Sequence, residues 1–176
     1  LWFLASTDFG LGSQWLDMTS YDREETFGLY LAVLDDQTAS PFLPESVEDD
    51  GVALSPTAAP AAADAPATAP IPAVAIDADG LAQRILAVPN VPKRQYASLE
   101  PGVAGTVFYL EASTEPGARG NALHRYRLGE RKAGDVAAGV AEYSVSADGK
   151  KLVYLTPAPS AANGSAPRPP ALHLVD

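Results

Sequence analysis

The chain is patterned in short stretches where apolar residues alternate with polar ones and each stretch closes on turn residues, the period-two signal of half-buried strands. In "YSVSADGKKLVYLT", Tyr143 and Val145 are followed, beyond Asp148 and Gly149, by Leu152 and Tyr154. Aromatic and β-branched residues favour strands, and Asp-Gly tolerates the positive φ of a tight primed turn, so the stretch predicts a hairpin. A two-stranded ribbon is marginal in water, so a larger sheet is expected around it.

The runs also repeat. "LWFLAS" at Leu1, "VFYLEA" at Val107 and "LVYLTP" at Leu152 share one order of aliphatic and aromatic residues, and each precedes a second run: "LYLAVLDD" at Leu29, "LHRYRLGE" at Leu123 and "LHLVD" at Leu172. Val107 and Leu152 are 45 residues apart, the size of one four-stranded propeller blade. Leu1 and Val107 are 106 apart; the excess divides into 12 residues inside the first pair of runs and 49 after Leu29. The first unit therefore reads as an ordinary blade with two insertions. In the best-preserved unit the pattern predicts strands over 95–99, 106–111, 122–128 and, shorter, 133–137. The next blade then opens at "AEYSVS", and Asp148-Gly149 joins its first two strands.

The larger insertion carries "SPTAAPAAADAPATAPIPA", Ser55 to Ala73, with proline at 56, 60, 66, 70 and 72. Such a tract has few large side chains to offset ordering entropy, and proline lacks the amide donor of a sheet, so an extended, solvated loop is expected. Shortening it to a few Gly and Ser residues should leave the melting temperature nearly unchanged; a loss of many degrees would show that it packs on something. A weaker patch of the same kind, "PAPSAANGSAPRPP", spans Pro157 to Pro170. The organisation expected is all-β: a partial β-propeller of about three four-stranded antiparallel blades. Blade strands and a long loop fill 1–51, an Ala/Pro-rich insertion 52–74, and the remaining blade strands 75–176. Leu1 to Ser6 and Ala171 to Asp176 read as strands without lead-in, so a piece of a longer chain is expected.

Composition narrows the chemistry. At 176 residues and 47% hydrophobic content the chain can bury a core, and no apolar run approaches the length of a membrane helix, so a soluble protein is expected. The absence of cysteine removes disulfides, thiolate metal sites and a cysteine nucleophile. A formal charge of −10 argues against nucleic acid as partner. The acidity is local: from Glu24 to Gln83 there are acids and no Lys or Arg.

The residues also carry a family resemblance. "SADGKKLVYL" looks like the Ser-x-Asp-Gly-Lys-x-Leu-x-Tyr signature of TolB and tricorn-type propellers. More specific are "FLASTDFGLGSQWLDMTSYDREETFGLYLAVLDDQTASPFLPES" and "IDADGLAQRILAVPNVPKRQYASLEPGVAGTVFYLE", which resemble later blades of the second propeller in tricorn-type serine peptidases. The resemblance covers most of the chain outside the Ala/Pro tracts. It implies a cytoplasmic, or alternatively periplasmic, homo-oligomeric hydrolase of oligopeptides, whose propeller channels or sieves peptide substrates. That family continues into a PDZ-like module and mixed α/β domains with a serine-peptidase site; none of those segments is present here. The remaining blades and the catalytic domains of the parent are the partners implied, with no cofactor. A TolB-like propeller that binds a protein partner without hydrolysis is the alternative. A prolyl-oligopeptidase relative shares only generic blade features.

No catalytic, cofactor-binding or metal residue is assigned from the sequence. A Ser-His-Asp relay needs a histidine beside a nucleophile, and His124 and His173 are the candidates. Both directly follow the first Leu of a third strand, where the first unit has Tyr30, and a residue recurring at one repeat position favours packing. No nucleophile elbow, phosphate loop or zinc spacing occurs. The acids of "DDQTASPF" and "PESVEDDG" lack the spacing of a calcium loop and read as solvated charge. "IDADG", Ile76 to Gly80, comes closer but reads as a turn between strands. Trp15 and Tyr21 could form a peptide-contacting surface, although packing on their own blade is the expected role.

Overall fold

The structure, a computed structural model, describes residues 1–8, 25–43, 74–115, 117–158 and 169–175. The Ala/Pro tract, "PESVEDDG", Trp15 and Tyr21 lie outside these residues. Contacts divide the chain into two compact units, Leu1–Leu31 with Leu86–Asp176, and Ala32–Ile85.

Among the described residues ten strands form three antiparallel sheets of three, four and three strands, so the first and third differ from the four-stranded blades expected. The first contains β1 (Trp2–Ala5), β2 (Gly28–Ala32) and β3 (Ile85–Ala87). The second contains β4 (Tyr96–Pro101), β5 (Thr106–Glu111), β6 (Asn121–Arg127) and β7 (Lys132–Val140). The third contains β8 (Glu142–Val145), β9 (Leu152–Thr156) and β10 (Ala171–Val175). In each sheet the spatial order of strands is their order along the chain. The predicted strands of the middle unit are all present, their ends displaced by a few residues. The hairpin around Asp148-Gly149 joins β8 to β9, while 107–111 belongs to a different sheet from 152–155.

β5 shows why the sheets belong together. Val107, Phe108, Tyr109 and Leu110 are all buried, and successive side chains of a strand point to opposite faces, so this strand has protein on both sides. Phe108 and Leu110, with Leu123 of β6 and Val140 of β7, meet Tyr143 and Leu152 of the third sheet in one core cluster. Burial of this kind contributes roughly 1.5–3 kcal/mol per large apolar side chain. On the other face, Val107 and Tyr109 pair with Tyr126 and His124 across β6. Tyr126 receives Trp2 of β1 edge-on, with ring centroids 5.8 Å apart.

Polar links reinforce the same stacking. A bulge in β4 between Ala97 and Glu100, with Ser98 at φ 52°, interrupts the ladder there, and the Ser98 carbonyl accepts the Tyr143 hydroxyl. The Tyr143 hydroxyl also lies 2.8 Å from the Phe108 carbonyl oxygen, and Glu100 Oε2 accepts the Val145 amide at 2.8 Å.

The β8–β9 connection differs from a tight primed turn. Gly149 alone has positive φ, 70°, and its amide donates to the Ser146 carbonyl at 2.8 Å. Ser146 Oγ accepts the Lys151 amide at 2.9 Å, and Asp148 Oδ1 accepts from the Ser146 hydroxyl at 2.5 Å and the Lys150 amide at 3.1 Å. The serine and aspartate side chains satisfy the donors of a longer loop, which removes the need for two consecutive left-handed residues. The same hydrogen bonds, that from the Ser146 side chain foremost, hold the Asp148 carboxyl below its ordinary pKa.

The second unit, Ala32–Ile85, is tied at its chain crossing by one cation. The Arg84 guanidinium donates to the carbonyls of Val33 at 3.1 Å, Asp79 at 2.9 Å and Asp77. Gly80, at φ 68°, turns the chain into a short 3-10 helix over Leu81–Arg84. "IDADG" therefore does contain a turn.

Candidate functional site

Each sheet carries one aromatic cross-strand pair at the same register position. Phe3 lies opposite Tyr30, Tyr109 opposite His124, and Tyr154 opposite His173. The Phe3–Tyr30 and Tyr154–His173 rings stack at centroid distances of 5.6 and 4.6 Å, while Tyr109 and His124 meet at 5.3 Å with their planes tilted by 30°. The two histidines thus occupy equivalent places, as their positions after Leu123 and Leu172 predict. Such pairs stabilise a sheet by roughly 0.2–1 kcal/mol each.

Their hydrogen-bonding partners differ. His124 lies between two carboxylates: Nδ1 is 2.9 Å from Asp135 Oδ1, and Nε2 is 3.2 Å from Glu111 Oε2. The first contact is a hydrogen bond; the second is at ion-pair distance without hydrogen-bond alignment. Glu111 is shared with Arg94, whose Nη1 approaches its Oε1 to 3.1 Å. Arg94, Glu111, His124 and Asp135 thus form a row that links the segment before β4 to β5, β6 and β7. His173 has Thr156 Oγ1 3.2 Å from Nε2.

A catalytic relay needs a hydroxyl on one imidazole nitrogen and a carboxylate on the other. Here the carboxylates accompany His124 and the hydroxyl accompanies His173, on different sheets. At His124 the arrangement links neighbouring strands of one sheet. Sequence inspection of the histidines missed Glu111, Asp135 and Arg94. The signal was available once the hairpin was drawn, because pairing β6 with β7 puts Asp135 directly opposite His124.

Tyrosines dominate the buried polar groups nearby. Burial, with the negative charge of Glu111 second, pushes the Tyr96 hydroxyl up to about 12. Burial raises Tyr109 further, helped by Tyr96, Glu111 and Asp135, and it also raises Tyr126. The Tyr96 hydroxyl donates to the Pro92 carbonyl at 2.7 Å, and its ring meets Tyr109 edge-on at 4.9 Å.

In the second unit the fold gathers Asp35, Asp36 and Asp77, whose carboxylate oxygens lie within 4.8 Å of one another. The sequence separates Asp77 from the other two by some forty positions, so the grouping was invisible there. All three are exposed. Asp77 Oδ2 accepts the Asp36 amide at 3.0 Å, while Asp35 accepts the Gln37 amide at 2.9 Å and the Thr38 hydroxyl at 2.9 Å. Those donors, the Gln37 amide first, lower the Asp35 pKa. The carboxylates close the turns of their own unit.

Among the described residues no helix is long and apolar enough to cross a membrane. Neither a family model nor a curated protein nor a solved structure matches the chain.

Proposed function

We propose that the chain is a non-catalytic β-propeller segment of a tricorn-like serine peptidase that hydrolyses oligopeptides, the propeller acting as a channel or sieve for the substrate. The observation that supports this reading is repetition in register: three sheets meander in chain order and place equivalent aromatic pairs, Phe3–Tyr30, Tyr109–His124 and Tyr154–His173, at one position. Propeller blades are sheets of this size and order packed face on face. The peptidase part of the reading rests on the resemblance of the segments around Phe3–Ser46 and Ile76–Glu111. The division of hydroxyl and carboxylate between the two histidines is consistent with catalytic groups elsewhere in the parent.

The reading is tested in two places. In the complete reading frame a PDZ-like module and a serine-peptidase domain are expected, with oligopeptide hydrolysis abolished by replacing the peptidase serine. A frame containing a propeller and no hydrolase domain overturns it and leaves the TolB-like binding propeller, with which "SADGKKLVYL" is equally compatible. On the 176-residue chain itself, fluorogenic oligopeptides are expected to show no turnover. Turnover that disappears in His124→Ala or His173→Ala would put the chemistry in this chain instead.

A further inference from the structure

The β6–β7 hairpin concentrates positive charge in an acidic chain. In "RYRLGERK", Arg125 to Lys132, four cations stand beside one acid, although the formal charge of the whole chain is −10. Alternate residues of a strand share a face, so Arg125 and Arg127 continue the row that begins with Leu123. Pairing of β6 with β7 places Lys132 opposite Arg127 and Gly134 opposite Arg125. Three cationic side chains therefore lie on one face, beyond the stretch where Leu123 meets Tyr143 and Leu152. Like charges directly opposite one another destabilise a strand pair. Arg127 is compensated, its Nη1 2.9 Å from Glu130 Oε1, but among the described residues no carboxylate lies at ion-pair distance from Arg125 or Lys132.

These side chains border a cavity of about 180 Å³, lined by Arg125, Arg127, Glu130, Lys132, Ala133 and Gly134. Gly134 leaves its wall bare, since no heavy atom lies within 4 Å of the place a Cβ would take. Both arginines are half-buried, which strengthens their field over that of fully solvated cations. Three cations and one carboxylate give the wall a net charge of +2.

We infer that this cavity binds a phosphate dianion, either free or as the monoester group of a small molecule. The charge matches, because a phosphate monoester carries about −1.5 to −2 near pH 7. The directions match as well. A carboxylate has two oxygens in one plane, which a single guanidinium fork satisfies. Here two forks reach in from β6 and an ammonium from β7, a spread that suits the several oxygens of a tetrahedral group. The bound anion offsets a repulsion that the hairpin by itself leaves uncompensated. The chain's overall negative charge disfavours a long polyanion such as nucleic acid as the source. The inference is independent of the peptidase reading and holds equally for a binding propeller.

Titration of the 176-residue chain with inorganic phosphate and with glycerol 3-phosphate, at fixed ionic strength, tests it through the nuclear magnetic resonance signal of the Gly134 amide. A saturable shift is expected, with a dissociation constant of about 1 mM or tighter. The tighter of the two probes distinguishes free phosphate from a monoester. Succinate, a dianion built from carboxylates, is expected to bind at least about tenfold more weakly. Arg125→Gln and Lys132→Gln should each weaken phosphate binding about tenfold or more. Lys93→Gln, which removes an exposed cation outside the cavity, should bind as wild type does. Phosphate should raise the melting temperature of wild type and not that of Lys132→Gln. If Arg125→Gln fails to fold, Lys132→Gln carries the test, because its side chain is exposed. Absence of a saturable shift, succinate binding as tight as phosphate, or unchanged phosphate affinity in Lys132→Gln overturns the inference. An equal loss in Lys93→Gln also overturns it, since the anion would then respond to overall charge.

Discussion

Replacing Gly149 by valine is expected to lower the melting temperature by about 10 °C, on the scale of 2–4 °C for each kcal/mol in a chain of this size. Two costs combine at this residue. Gly149 has φ 70°, where a side chain costs roughly 1–2 kcal/mol and a β-branched one more. A Cβ there would also lie 2.5 Å from both the Gly102 carbonyl carbon and the Val103 nitrogen. Those atoms are backbone of the β4–β5 connection and cannot swing aside as a side chain can. The loop must therefore withdraw from the second sheet and loosen the packing of Tyr143 and Leu152 behind it. Gly134→Ala is the control: a Cβ at Gly134 meets nothing within 4 Å, so its stability should change by no more than about 0.5 kcal/mol. Equal melting of Gly149→Val and wild type would mean that the two connections do not approach in solution.

Alkaline pH is expected to unfold the chain more steeply than its net charge alone suggests. Burial raises the pKa of Tyr96 to about 12 and raises Tyr109, Tyr126 and Tyr143 as well. In the unfolded chain these hydroxyls lose their protons near pH 10. Above that pH the unfolded state binds fewer protons than the folded one, so stability, intact below about pH 10, falls as pH rises toward the folded-state values. Each tyrosine removes at most about 1.4 kcal/mol per pH unit in this window. Tyr143 adds a structural reason, because its phenolate can no longer donate to the carbonyls of Ser98 and Phe108. Urea unfolding at a series of alkaline pH values measures the slope, and tyrosinate absorbance identifies the groups. Tyr109→Phe should reduce the slope by one tyrosine's share, whereas stability unchanged through the window would contradict the burial of these hydroxyls.

The amino-acid order by itself made legible the strands of the middle unit, the hairpin after it and the equivalence of Tyr30, His124 and His173, but not β3, nor that the first and third sheets have three strands where four were expected. Those features follow from side-chain alternation along a strand and from recurrence of one short pattern, both local properties of the chain. The Asp148-Gly149 hairpin was legible for the same reason, although its loop form was not: the Ser146 and Asp148 side chains compete for the amides that a tighter turn would use. The carboxylates around His124 emerge from register, and the Asp35, Asp36 and Asp77 group from a chain crossing that no local pattern encodes. Tertiary structure alone decided which equivalent residues are covered. Leu123 and Leu172 have the same neighbours in sequence, yet one is sealed and the other open. Alternation says that a side chain points to a face; burial depends on what another sheet places against that face.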